Sequence, residues 1–151
     1  QIVDAELAQL STRHADGVVV LWRRNLLRAA VSWAYAIKTD VWSSTRNPDA
    51  PPPVHRLDPR EVEWFIGKTA AEVDRWRSIL TDAGARMLEL TYEDDVVTRR
   101  FDRVYDFFGM EMTEPPKIAT RRLSSPDYAH ISNATELDRL LSNSETGRLF
   151  D

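Results

Sequence analysis

The chain contains no cysteine among its 151 residues. Disulfides, thiolate metal sites and a cysteine nucleophile are excluded together, and the absence is compatible with a reducing cytoplasm. Its five glycines, at positions 17, 67, 84, 109 and 147, are too scattered to build a glycine-rich phosphate loop. No apolar run approaches the ~20 residues of a membrane-spanning helix, so no integral membrane segment is expected. Positive charge is in deficit: 20 Lys and Arg stand against 24 Asp and Glu, a net charge of -4. That balance argues against a nucleic-acid binder that works through bulk positive field, and any anion site must be a local cluster of cations. The first residues, Gln1-Ile-Val-Asp, carry neither a methionine nor a signal-peptide pattern. The chain is expected to begin inside a longer protein or as a processed product.

What is present fits a single domain over residues 1–151, long enough to bury a real core. Residues 4–13 carry Leu7 and Leu10 on one side of a short expected helix. Asp16-Gly17 marks a turn, and Val18-Val-Val-Leu-Trp22 reads as a parallel strand buried on both faces. Asn25 is a good N-cap, and Leu27, Ala30, Val31, Ala34 and Ile37 predict a helix from about Leu26 to Lys38. Residues 43–57, with Asn47-Pro48 and Pro51-Pro52-Pro53, form a loop. Asp58-Pro59-Arg60-Glu61 then reads as a capping box with proline at the first helical position. Val62, Ile66, Thr69, Val73, Trp76 and Leu80 give a long amphipathic helix that stops near Gly84. A second strand is expected at Met87–Tyr92. Tyr92-Glu93-Asp94-Asp95 would open a helix whose buried face is Val97, Phe101, Val104, Tyr105 and Phe108, ending at Gly109. A basic segment over 115–132 and a short helix at Thr135–Leu141 complete an α/β order.

The chemistry concentrates where the first strand meets the first helix. Arg23 and Arg24 follow the strand directly, and Ser32 lies seven residues beyond Asn25, two turns or roughly 10 Å along the helix. An extended Arg24 could close much of that gap, so that a tetrahedral anion bridges guanidinium and hydroxyl. Arg28 and Tyr35 share the helix face with Ser32. The plain alternative is a pair of surface arginines beside an ordinary mid-helix serine. Tyr92-Glu93-Asp94 reads as a helix start held by capping and dipole effects rather than as catalytic residues. His55, after the proline loop, is the one candidate for a base toward an acceptor hydroxyl. His14 and His130 have no convergent partners, so no metal site is expected. Trp22, Trp33 and Trp76 are expected to pack, and Trp42 is a candidate wall for a sugar or adenine.

Arg-Asn followed by seven further residues ending in Ser, after an apolar strand, resembles the 3′-phosphate-binding segment of sulfotransferases that use 3′-phosphoadenosine 5′-phosphosulfate (PAPS). Arg23-Arg24-Asn25-Leu26-Leu27 through Ala36, then Val41-Trp42, is similar to bacterial carbohydrate sulfotransferases of the trehalose and Nod-factor type. Val73-Asp74-Arg75-Trp76-Arg77, Leu90-Thr-Tyr-Glu-Asp94, Ile131-Ser-Asn133 and Glu136-Leu137 continue the resemblance in matching order. It implies a P-loop nucleoside triphosphate hydrolase-like, parallel-sheet sulfotransferase fold. It assigns Arg24 and Ser32 to the donor's 3′-phosphate, with Arg28 beside them and Lys117, Arg121 and Arg122 as a basic lid. It implies PAPS as co-substrate, no metal, and a hydroxylated sugar or lipid as acceptor. Trp42, His55 and the loop 43–57 fall on the acceptor side.

The family's N-terminal strand-loop-helix, which cradles the 5′-phosphosulfate, has no counterpart in these residues. The chain is therefore expected to hold the 3′-phosphate half of the site and to lack the sulfuryl-transfer half. Two other readings stand beside this one: a non-catalytic binding or assembly module that kept the scaffold, and, more distantly, a nucleotide kinase-like domain. On the long helix, Trp64 and Phe65 lie off the main apolar stripe and offer a face for a second copy of the chain.

Overall fold

The computed structural model describes residues 15–40, 53–112 and 128–150. These residues fall into two compact units, one built from 15–24 and 71–112, the other from 25–40, 53–70 and 128–150. The expected helix at 4–13, the loop up to residue 52 and most of the basic segment 115–132 lie outside the described residues.

In the first unit β1 (Val18–Trp22) pairs in parallel with β2 (Met87–Thr91), in a register running from Val18↔Met87 to Trp22↔Thr91. β1 is a run of β-branched and large apolar residues, and β2 is apolar on either side of Glu89, which suits a pleated, half-buried surface. Burial on both faces of β1 does not hold: the strand is largely half-buried, and Leu21 is 54% exposed. Among the described residues β2 is its one partner strand, which is too little sheet to cover both faces. Gly17 admits the chain to β1 at a close approach, since a Cβ there would lie 2.5 Å from the Phe107 ring.

The helix expected to run unbroken from Tyr92 to Phe108 is two elements. A five-residue π-helical turn occupies Tyr92–Val96, and α3 spans Asp102–Phe108. The cause is Asp95. Its carboxylate turns inward to accept the Thr91 amide at 2.7 Å, and the chain winds wide around it, with Val97 N–H donating to the Tyr92 carbonyl at 2.9 Å. Arg99 then takes a left-handed φ of 60° and α3 starts afresh. Val97, expected inside, is 62% exposed because the register of the buried face is lost across the break. Gly109 ends α3 in the left-handed conformation, as expected.

The longest helix, α2 (Pro59–Asp82), contributes to both units; its residues from Ala71 onward belong to the first. It stops where expected: Gly84 has φ 67°, and the amides of Gly84 and Ala85 close onto the carbonyls of Thr81 and Leu80. At its start Asp58 accepts the Arg60 amide at 2.9 Å.

The second unit packs α1 (Leu26–Thr39), α2 up to Ala70 and α4 (Ala134–Leu141) around one apolar core. Leu27, Ala30, Val31 and Ala34 come from α1, Val62 and Phe65 from α2, and Ala134 and Leu137 from α4. Phe65, read as an off-stripe surface residue, is a core residue with 6% exposure, whereas its neighbour Trp64 is 57% exposed. Trp33, expected to pack, is half exposed, its ring tilted 41° to that of Phe65 with centroids 6.2 Å apart. Asn133 closes the core on one side by a two-way exchange with Leu57: its side chain accepts the Leu57 amide at 3.0 Å and donates to the Leu57 carbonyl at 2.9 Å. A buried amide paired in this way substitutes for a neighbouring strand.

Candidate functional site

Arg24 stands two residues past the carboxyl end of β1, and the parallel register brings the residues that follow β2 alongside it. Its main-chain N–H donates to Glu93 Oε2 at 2.9 Å. Its guanidinium grips Asp94 end-on, Nη1 to Oδ2 at 2.8 Å and Nη2 to Oδ1 at 3.1 Å. Both side chains of this pair are more than half exposed, so the guanidinium remains open to solvent. Arg23 lies over the Tyr92 ring, its central carbon 4.1 Å from the centroid.

The π-helical turn that delivers these acids is anchored from below. Asp95, 2% exposed, accepts Arg103 Nη1 at 2.6 Å as well as the Thr91 amide, and Arg103 Nη2 reaches the Glu89 carbonyl at 3.3 Å. Burial by itself raises the Asp95 pKa. The Thr91 hydrogen bond, Arg103 and the charge of Arg100 together outweigh it and hold the group below the ordinary carboxylate value. Thr91 Oγ1 accepts the Asp94 amide at 3.1 Å and caps the same turn. On the sheet, Glu89 holds Arg77 through two bonds of 2.9 and 2.7 Å, and Arg77 lies over Trp22 at 4.7 Å. The Arg77 hydrogen bond is the main reason that the Glu89 pKa is lowered.

In the second unit the N-terminus of α1 is already closed by protein groups. Asn25 Oδ1 accepts the Arg28 amide at 2.9 Å, and the Thr146 carbonyl takes the Leu27 amide at 2.9 Å. Two of the amides that a helix start offers an anion are therefore satisfied within this unit. Arg28 turns its Nε and Nη2 onto the Leu149 carbonyl at 3.2 and 2.9 Å. Ser32 is half-buried on α1. Tyr35 does not share an open face with it: its ring is in the core, its hydroxyl donates to the Pro53 carbonyl at 2.8 Å, and burial raises its pKa.

His55 is half-buried, and its main chain is held on both sides, N–H to the His130 carbonyl and carbonyl to the Ser132 amide, each at 2.9 Å. Its ring stands edge-on to Tyr35 at 6.1 Å. Trp42, Lys117, Arg121 and Arg122 lie outside the described residues. Among the described residues no cluster of three or more His, Cys, Asp or Glu side chains could hold a metal ion, and no helix is long and apolar enough to cross a membrane.

The acids at 93 and 94 are what the sequence reading missed as partners of Arg24. The available signal was register: two parallel strands that end level carry an Arg-Arg pair past one end and Tyr-Glu-Asp past the other. No family model, no curated protein and no solved structure matches this chain.

Proposed function

We propose that the chain supplies the 3′-phosphate-binding half of a PAPS-dependent sulfotransferase acting on a hydroxyl of a carbohydrate or lipid. The observation that carries this reading is Arg24: an exposed guanidinium, held in a fixed pose, just past the carboxyl end of a parallel strand. Open α/β sheets bind their ligands at that end. A planar fork of N–H donors is the group best matched to phosphate oxygens. The strand-helix-helix-strand order and the parallel pairing support the larger P-loop-type sulfotransferase fold as the parent architecture.

In the reaction, the acceptor oxygen attacks sulfur in line. The new O–S bond forms as the bond from sulfur to the phosphate oxygen breaks, and adenosine 3′,5′-bisphosphate leaves with the electron pair. The acceptor proton passes to a base, for which His55 is the candidate in this chain. Arg24 and Ser32 act at the far end of the donor, by orientation and charge rather than by bond making.

Calorimetric titration of the chain with adenosine 3′,5′-bisphosphate tests the reading. Loss of a charged phosphate contact in Arg24→Ala should weaken binding by roughly 10- to 100-fold, and adenosine 5′-phosphate should show no such dependence on Arg24. Unchanged bisphosphate affinity in both Arg24→Ala and Ser32→Ala would sink the assignment.

A further inference from the structure

Every residue from Thr91 to Asp95 is occupied in holding the end of β1 or in bracing the turn that does so. Thr91 caps the turn, Tyr92 lies under Arg23, Glu93 takes the Arg24 amide, Asp94 takes the Arg24 guanidinium, and Asp95 ties the turn to Arg103. The hydrogen bonds at Thr91, Glu93 and Asp94 lie at the solvent face, and that between Asp95 and Arg103 is part-buried. An exposed arginine ion pair contributes only about 0–1 kcal/mol to folding, so stability is a poor explanation for the Arg24–Asp94 pair.

The hydrogen-bond pattern fits another role. Asp94 meets the guanidinium at its two terminal nitrogens, and among the described residues no acceptor takes the Nε–H edge of the fork. Two anions can share one guanidinium in this way, one end-on and one side-on. A long side chain fixed beforehand also avoids the entropy cost of ordering it when the ligand arrives.

Resting on the proposed 3′-phosphate reading, we infer that Asp94 and Glu93 are positioning residues for phosphate recognition. They pre-set Arg24 so that its Nε edge faces the incoming 3′-phosphate. Asp94 is the orienting counter-ion and does not compete with the ligand. Glu93 fixes the backbone from which Arg24 extends.

The test uses the full chain and adenosine 3′,5′-bisphosphate as the probe. Asp94→Ala and Asp94→Asn should each lower affinity by roughly tenfold, the equivalent of immobilising one long side chain on binding. Their thermal midpoints should stay within about 2–4 °C of the parent. Asp94→Glu, which keeps a carboxylate, should recover part of the lost affinity; a merely structural pair would not show that split between binding and stability. If the Asp94 variants bind at parental affinity while Arg24→Ala loses binding, the positioning role is wrong and the phosphate reading survives. Tighter binding in Asp94→Ala makes Asp94 a competitor and also overturns the inference. Parental affinity in Arg24→Ala overturns the positioning role, and parental affinity in Ser32→Ala as well removes the phosphate reading itself.

Discussion

Replacing Asp95 by alanine should destabilise the chain by about 3 kcal/mol. The figure follows from what the carboxylate holds: the Thr91 amide at 2.7 Å and Arg103 Nη1 at 2.6 Å, with the Asp95 side chain 3% exposed. Charge-assisted hydrogen bonds of this kind contribute about 1.5–3 kcal/mol each, and breaking a fully buried pair costs about 3–5 kcal/mol. The lower end applies because the Arg103 side chain is 36% exposed, and because its other terminal nitrogen keeps the Glu89 carbonyl. At about 2–4 °C per kcal/mol for a chain of this size, calorimetry should record a fall in Tm of roughly 6–12 °C. Asp95→Asn keeps an oxygen for the Thr91 amide and should lose about half as much. The sign of the pH dependence is set by the lowered carboxyl pKa in the folded state. The stabilisation is complete above the ordinary carboxyl value of 3.8 and is lost as pH falls through the lower, folded value. The gap between the parent and Asp95→Asn should therefore be constant at neutral pH and close in acid. A loss below about 1 kcal/mol in Asp95→Ala, or a gap that widens as pH falls, would refute the reasoning.

Two further substitutions test the second unit. Gly147 has φ 81°, and a Cβ there would lie 2.7 Å from Asn25 Cγ, so Gly147→Ala should lose about 1–3 kcal/mol by urea denaturation; no measurable loss would mean that the segment does not brace the start of α1. Asn133→Ala strands both main-chain groups of Leu57 in a buried setting and should lose about 2–4 kcal/mol. Hydrogen exchange at the Leu57 amide should rise with it, and an unchanged exchange rate would contradict the pairing.

Regular elements were readable because each was written by a periodic pattern with punctuation at both ends. Asn25 caps α1, Asp58-Pro59 opens α2, and Gly84 and Gly109 stop their helices in the left-handed conformation. The reading broke down where a side chain overrode the period. Tyr92 to Phe108 carries helical spacing throughout, yet Asp95 turns inward to the end of its own strand and divides the segment. Such a bond depends on a partner eight residues on, Arg103, to make a buried carboxylate tolerable, and periodicity carries no trace of it. Phe65 was misplaced for a related reason: a helix stripe computed for one face cannot see that Trp33 and Trp64 flank it and leave its ring to the core.

The candidate site was legible as to its cation and not as to its setting. Arg24 followed from its place at the end of a strand, but the acids that follow β2 and hold it did not. The acids on Arg24 then acquire a physical sense within a chain of net charge -4. A bare arginine cluster would attract anions by field, at long range and with little discrimination. An arginine paired end-on with Asp94 has much of its field cancelled nearby and keeps the directed N–H groups of its Nε edge. What it retains is short-range geometry, which a tetrahedral phosphate at the right position can use and a diffuse polyanion cannot.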